Sequence, residues 1–315
     1  MIGAEFVALS LPPMVIGCLA ALACALPGNF LLLRRQALIG DAISHVVLPG
    51  IVLAFLITGR IGTWPMMLGA AVAALVAVGL IEAIKRLGRI EPGAAMGVTF
   101  TAMFAAGVIV LERSDTSAVH LDVEHALMGS LESLIWLDAT GWDSLIDPVA
   151  LAGLPSELGR LALILVLVVA LLWLFWRPLK ISTFDESYAV TLGLPVTAIS
   201  LGLVIVSAMA AVAAFDAVGS IIVIAMFICP PAAARLLTDR LELQIGLSAL
   251  FAMISAMLGY VLAGYGPLWL GGQDSVSAAG MIATLSGVIL GLTAWFSVFR
   301  MHKLQKNQAN EDFDA

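Results

Sequence analysis

Polar residues divide the chain into long apolar stretches rather than into short segments of alternating character. Nine such stretches run over 11–33, 37–58, 62–84, 93–111, 161–176, 196–215, 217–236, 245–264 and 277–298. A helix rises about 1.5 Å per residue, so about 20 apolar residues cross the roughly 30 Å hydrocarbon layer of a bilayer. A membrane barrel would instead show segments of about 10 residues in which apolar and polar positions alternate. The pattern predicts an all-α polytopic membrane protein of nine transmembrane helices. The seventh stretch contains Cys229-Pro230-Pro231, which should break a simple helix. If that stretch is short or re-entrant, the count becomes eight.

Composition strengthens the membrane assignment. Of the 315 residues, 61% are hydrophobic and 12% charged, whereas soluble domains carry about 25% charged residues. The basic residues then orient the spans. Arg34 and Arg35, Lys85, Arg86 and Arg89, Arg177 and Lys180, Arg235 and Arg240, and Arg300, Lys303 and Lys306 follow the odd-numbered stretches; only Arg60, Arg113 and Arg160 fall on the other side. Basic loops face the cytoplasm, so the N-terminus is expected outside and the C-terminus inside. The first stretch has no basic residue before it, as a cleaved signal peptide would, and is expected to remain as a helix. Residues 1–302 form a single membrane domain, and the polar stretch 303–315 is expected to be a disordered cytoplasmic tail. The 112–159 segment falls outside and holds nine acidic residues. Within it, 126–136 is apolar enough to lie as a helix in the membrane interface. Cys18, Cys24 and Cys229 all sit in apolar runs and read as packing residues.

Candidate chemistry begins at Gly40-Asp41-Ala42-Ile43-Ser44-His45. Asp41 and His45 are four residues apart and so share one face of a helix. Ionisable groups within a span usually face a polar interior, and a carboxylate with an imidazole suits a divalent first-row transition metal. Such a pair makes a weak, partial site, which suits an ion that must also leave. Protonation of His45 would weaken it, because a metal ligand must be neutral imidazole. The same residues could instead pair with each other or cap the helix start. Pro49 and Gly50 would free backbone carbonyls and hinge the helix or widen a path, or else mark a packing kink.

Between the fifth and sixth stretches, Phe184-Asp185-Glu186 opens a short segment closed by Gly193-Leu194-Pro195. Its acidic start suits a helix N-terminus and Gly193 suits a helix end. It could dock into a partner's groove or simply connect two spans. Asp216 could guard the outer mouth of a path or cap a turn. His120, Asp122, Glu124 and His125 form an outer cluster with ligand-type chemistry that also fits solvated loop residues, and His302 reads as a surface residue. The chain has no G-x-x-x-x-G-K-[ST] phosphate loop, no H-E-x-x-H and no G-x-S-x-G elbow. It is therefore not expected to hydrolyse ATP or to be an enzyme.

The stretch Gly40-Asp41-Ala42-Ile43-Ser44-His45-Val46-Val47-Leu48-Pro49-Gly50 resembles the signature of permease subunits of metal-type ABC importers, the manganese, zinc and iron uptake family. Phe184–Ala189 with Gly193-Leu194-Pro195 resembles that family's ATPase-contacting segment. The runs 212–219 and 224–240 resemble its late core, although Pro230-Pro231 doubles the usual proline and the 122–157 segment is longer than the family's. The resemblance implies a type II ABC importer-like permease in the bacterial plasma (inner) membrane. It implies Asp41 and His45 as metal contacts, and 177–195 as a cytoplasmic coupling segment acting through Phe184, Asp185, Glu186, Ala189 and Gly193. It also implies three kinds of partner: a second permease subunit, identical or related; cytoplasmic ATPase subunits that hydrolyse the ATP; and an extracytoplasmic metal-binding protein. No cofactor would be held permanently, and the transported divalent ion is cargo. The Asp-Ala-Ile-Ser-His form leans toward the manganese and iron branch. A permease for a siderophore or cobalamin, and a solitary ion-gradient carrier, are the rival readings.

Overall fold

The structure, a computed structural model, describes residues 2–36, 39–59, 63–113, 129, 131–269, 271 and 276–314. After two short helical turns, Ile2–Glu5 and Phe6–Ser10, come helices α1 (Leu11–Leu33), α2 (Ile39–Thr58), α3 (Thr63–Gly88) and α4 (Pro92–Arg113). A second group holds α5 (Ser156–Leu174), α6 (Trp176–Phe184), α7 (Glu186–Thr191), α8 (Val196–Leu237), α9 (Leu241–Trp269) and α10 (Ala278–Asp314). Among the described residues there is no strand, and 7 helices are long and apolar enough to cross a membrane.

One of those helices holds two crossings. The 42 residues of α8 would be about 63 Å long if straight, about twice the hydrocarbon thickness. At Gly219, φ is 80° and ψ is 171°, a conformation open in practice only to glycine. The contacts show that the chain turns back there. Near its start, Ser200 bonds Arg34 at the C-terminal end of α1. Beyond the break, Phe227 lies against Gly28, on the same half of α1. Residues 196–218 and 220–237 therefore run in opposite directions. The break falls at Gly219 and not at Pro230-Pro231, which the sequence marks as the interruption; both prolines lie inside the helix.

The reason lies in the packing of α1. Proline lacks the N–H that bonds the carbonyl four residues back, so Pro231 removes the helical donor for Phe227. That carbonyl is instead covered by α1: a β-carbon on Gly28 would lie 2.6 Å from the Phe227 oxygen. Around this contact α1 and α8 bury Ala20, Ala21, Ala23, Cys24 and Ala25 against Ala210, Ala211, Ala213 and Ala214. Small side chains let helix backbones approach closely where lipid supplies no hydrophobic driving force.

The two ends of the bundle differ. Arg34, the Thr183 hydroxyl, Ser200 and the Lys180–Glu242 ion pair gather at one end. A cavity there is lined by Gln36, Glu82, Lys85, Glu186 and Ser200 among others. The Arg160–Asp216 ion pair, the Ala278 N–H bond to Glu132 (2.6 Å) and the Tyr260 hydroxyl bond to the Leu9 carbonyl mark the other.

Two sequence expectations are corrected. The described part of 126–136 is not an interfacial helix: it holds only the short 3-10 turn Leu131–Ser133. Leu131 and Trp136 are each 1% exposed. The Trp136 indole N–H donates to the Ala150 carbonyl at 2.7 Å, and its backbone N–H donates to Ala8 at 2.8 Å. The apolar character that suggested an interface is spent on protein packing, and Gly129 (φ 72°) fits against the Gly219 break, where a β-carbon would lie 2.6 Å from the Gly219 nitrogen. The second correction concerns the tail. Helix α10 continues to Asp314, because 301–314 is rich in good helix formers and holds neither Gly nor Pro.

Two stability outcomes follow from this packing. Gly28→Leu should drive α1 from α8 and cost about 1–3 kcal/mol, while Gly79→Ala, with nothing within 4 Å, should stay within about 0.5 kcal/mol of wild type; thermal unfolding in detergent compares them. Trp136→Ala should cost about 3–5 kcal/mol, whereas Trp136→Phe, which keeps an aromatic ring but loses the indole bond and some volume, should cost less, about 1–3 kcal/mol, in the same assay.

Candidate functional site

Helix α2 positions the signature residues. Asp41 and His45 both lie in its first two turns, about 6 Å apart along the axis; their side chains lie outside the described residues. The helix around them is held by three neighbours. A β-carbon on Gly40 would lie 2.8 Å from the Phe227 ring, so Gly40 lets α8 close onto the residue before Asp41. Ala42 and Val46 are buried, Val46 in a cluster with Ala73 and Ala77 of α3 and with Phe100 and Met103 of α4.

Pro49 and Gly50, both buried, close the next turn. A β-carbon on Gly107 of α4 would lie 2.6 Å from that of Pro49, and one on Gly50 would lie 2.5 Å from the Gly69 carbonyl of α3. The pair therefore seats α2 against α3 and α4. Pro49 also has no N–H to give the His45 carbonyl four residues back, which leaves that oxygen without its usual helical donor one turn above Asp41.

The second predicted segment forms α6 and α7 at the Arg34 end. Phe184 ends α6 and Asp185 separates the two helices. The Asp185 carboxylate accepts from the Tyr188 N–H at 2.8 Å, an N-cap. After α7, Gly193 takes φ 76° while its N–H and that of Leu194 bond back to Val190 and Ala189, the left-handed stop that glycine permits. Ala189 is fully buried, and Phe184, Tyr188, Val190 and Leu192 are at least half exposed. Glu186 faces the Arg34 guanidinium, whose charge it favours, although burial is the larger influence and lowers the Arg34 pKa.

At the opposite end Asp216 lies just before the α8 break and forms an ion pair with Arg160 of α5, which also meets Glu157 at 3.6 Å. The outer cluster of His120, Asp122, Glu124 and His125 lies outside the described residues, as does the His302 side chain. Among the described residues no group of three or more His, Cys, Asp and Glu side chains could hold a metal. Cys24 is packed in the core, and Cys18 and Cys229 are partly buried.

Sequence reasoning missed two polar arrangements, one buried and one partly buried. Asn29 on α1 donates to Ser248 of α9 at 3.1 Å and accepts from Gln244 at 3.1 Å; all three are fully buried. A lone amide inside an apolar run was the available signal. The other is Arg34, counted only as a topological charge, whose guanidinium bonds Thr183, Ser182 and Ser200. No pattern in the sequence connects residues about 150 positions apart.

Comparison with known proteins accords with this architecture. A model of the ABC 3 transport family matches residues 8–138 and 150–295. The manganese transport system membrane protein MntD of Bacillus subtilis is 41% identical over 281 residues, 89% of this chain and 90% of that protein. The zinc transport system membrane protein TroD of Treponema pallidum is 37% identical over 284 residues, 90% of this chain and 73% of that protein. Among solved structures, PsaBC from Streptococcus pneumoniae in complex with Fab aligns with a TM-score of 0.69 at 26% identity, over 90% of this chain and 89% of that one. With the family match covering both halves of the helical bundle, the chain belongs to the ABC 3 transport family, as a membrane-spanning permease subunit.

Proposed function

We propose that this protein is the transmembrane subunit of an ATP-driven importer of divalent transition-metal ions, with manganese favoured and zinc or iron as alternatives. The observation that carries the reading is the 41% identity to a manganese transport system membrane protein along nearly the whole of both chains. The Asp41–His45 pair supports it chemically. Carboxylate oxygen suits manganese and imidazole nitrogen suits zinc and iron, and Pro49 leaves the His45 carbonyl as a further oxygen in the same turn.

In this reading the Arg34 end faces the cytoplasm, where the basic residues collect. Two permease subunits, identical or related, enclose a path for which Asp41 and His45 are the metal contacts. An extracytoplasmic metal-binding protein delivers the ion at the Asp216 end, with Asp216 at the mouth. Separate ATPase subunits hydrolyse ATP and engage the exposed apolar side chains of this segment, Phe184, Tyr188, Val190 and Leu192, in the manner of a short helix docking into a groove. Buried Ala189 and the Asp185 and Gly193 caps hold α7 in shape. Closure of the ATPases moves α7, and the membrane helices alternate between outward and inward access.

Two experiments test this. In proteoliposomes carrying the complete transporter, Asp41→Asn and His45→Ala should each lower manganese uptake by at least about 100-fold, beyond the 10–100-fold cost of losing a metal's outer-shell partner. The amount of folded protein should not change, and uptake at the wild-type rate would remove Asp41 and His45 from the path. Asp185→Ala should fray α7 by about 1 kcal/mol and weaken co-purification of the ATPase, with Asp185→Asn, which keeps a capping oxygen, close to wild type.

A further inference from the structure

We propose that Arg34 is a positioning residue that joins the α6–α7 segment to the transmembrane core, so that displacement of α7 reaches the Asp41–His45 turn through α1. This deepens the importer reading and rests on it. Arg34 caps the C-terminal end of α1. A basic residue there commonly serves its own helix by facing the last carbonyls. Arg34 reaches away from α1 instead. Its Nε donates to the Thr183 hydroxyl at 3.0 Å, one Nη to Ser182 at 2.7 Å, and the other Nη to Ser200 at 2.6 Å. Ser182 and Thr183 form the last turn of α6, and Ser200 lies in the second turn of α8. Glu186, the first residue of α7, is close enough to interact with the same charge. One guanidinium thus links four helices.

The geometry calls for arginine. Three separate nitrogens of a rigid planar fork reach three acceptors on two elements. Lysine concentrates its donors on one nitrogen and cannot span them. From Arg34 the route inward is packed without interruption. Gly28, two turns back along α1, has the Phe227 carbonyl against it, and the Phe227 ring lies on Gly40, the residue before Asp41. Rigid helices with close backbone contacts transmit a shift where flexible side chains would absorb it. Arg35, the next residue, is exposed and serves as the control.

The test uses the complete transporter, with its ATPase and binding protein, in proteoliposomes with Mn²⁺ as the probe. The quantity read is ions taken up per ATP hydrolysed, per assembled complex. Couplings of this kind are typically about 5–150-fold, and Arg34→Gln is expected to lower the ratio about tenfold and Arg34→Lys at least about threefold, with Arg35→Lys at the wild-type ratio. A role confined to stability would reduce the yield of complex and leave the ratio unchanged, and that result, or a wild-type ratio in assembled Arg34→Gln, overturns the proposal. Should Arg34→Gln not assemble, Ser182→Ala and Ser200→Ala remove its acceptors singly. Each is expected to lower the ratio, and wild-type ratios in both overturn it. Should the wild-type transporter move no manganese, zinc or iron, the importer reading fails, and spin-label distances between Ile57 on α2 and Thr191 on α7 test Arg34 alone. ATP is expected to change that distance in wild type and not in Arg34→Gln. No change in wild type, or the same change in the variant, overturns the proposal.

Discussion

The approach of α1 to α8 at Gly28 and Phe227 is the contact on which the rest of the bundle depends. In a bilayer, apolar helices gain little from hiding apolar surface from one another, so association rests on close packing and on satisfied backbone groups. Pro231 takes a helical donor from the Phe227 carbonyl, and Gly28 has no side chain to keep α1 away from that oxygen. The alanine-rich faces above and below extend the contact. With the second half of α8 held there, its phenylalanine ring meets Gly40, and the start of α2 is set in place.

The reversal at Gly219 serves the same arrangement. It brings two antiparallel crossings of α8 against α1, and the 129–136 segment packs at the break rather than floating at the membrane surface. Glu132 in that segment accepts from the first N–H of α10, where a carboxylate also meets the favourable end of a helix dipole. At the same end an ion pair joins α5 to α8.

At the other end polar groups perform the joining. Arg34 reaches α6 and α8, Lys180 reaches Glu242 of α9, and Asn29 connects α1 to Gln244 and Ser248. These contacts bring the α6–α7 segment and the core helices under common restraint. Helix α7 is only 6 residues long, too short to be stable alone. It owes its form to the Asp185 cap, the Gly193 stop and the buried Ala189.

Helical class, the positions of the crossings and the grouping of basic residues at one end were all legible along the chain, because a membrane helix satisfies its own backbone and needs only length and apolarity. That Asp41 and His45 stand about one helical turn apart was legible for a related reason: a four-residue spacing is a local property of a helix. The α8 reversal was legible to within a few residues, since separate spans were expected over 196–215 and 217–236; that Pro230-Pro231 would lie inside a helix was not, because it depends on α1 covering the carbonyl that one proline exposes. Nor was the burial of Trp136, which depends on Ala8 arriving from the far N-terminal end and on Ala150 folding back 14 residues on, nor the reach of Arg34 across about 150 residues. Sequence by itself determined what each segment could be in a bilayer; only the tertiary structure decided which segments meet, because those choices rest on backbone approach and hydrogen-bond partners that no single helix contains.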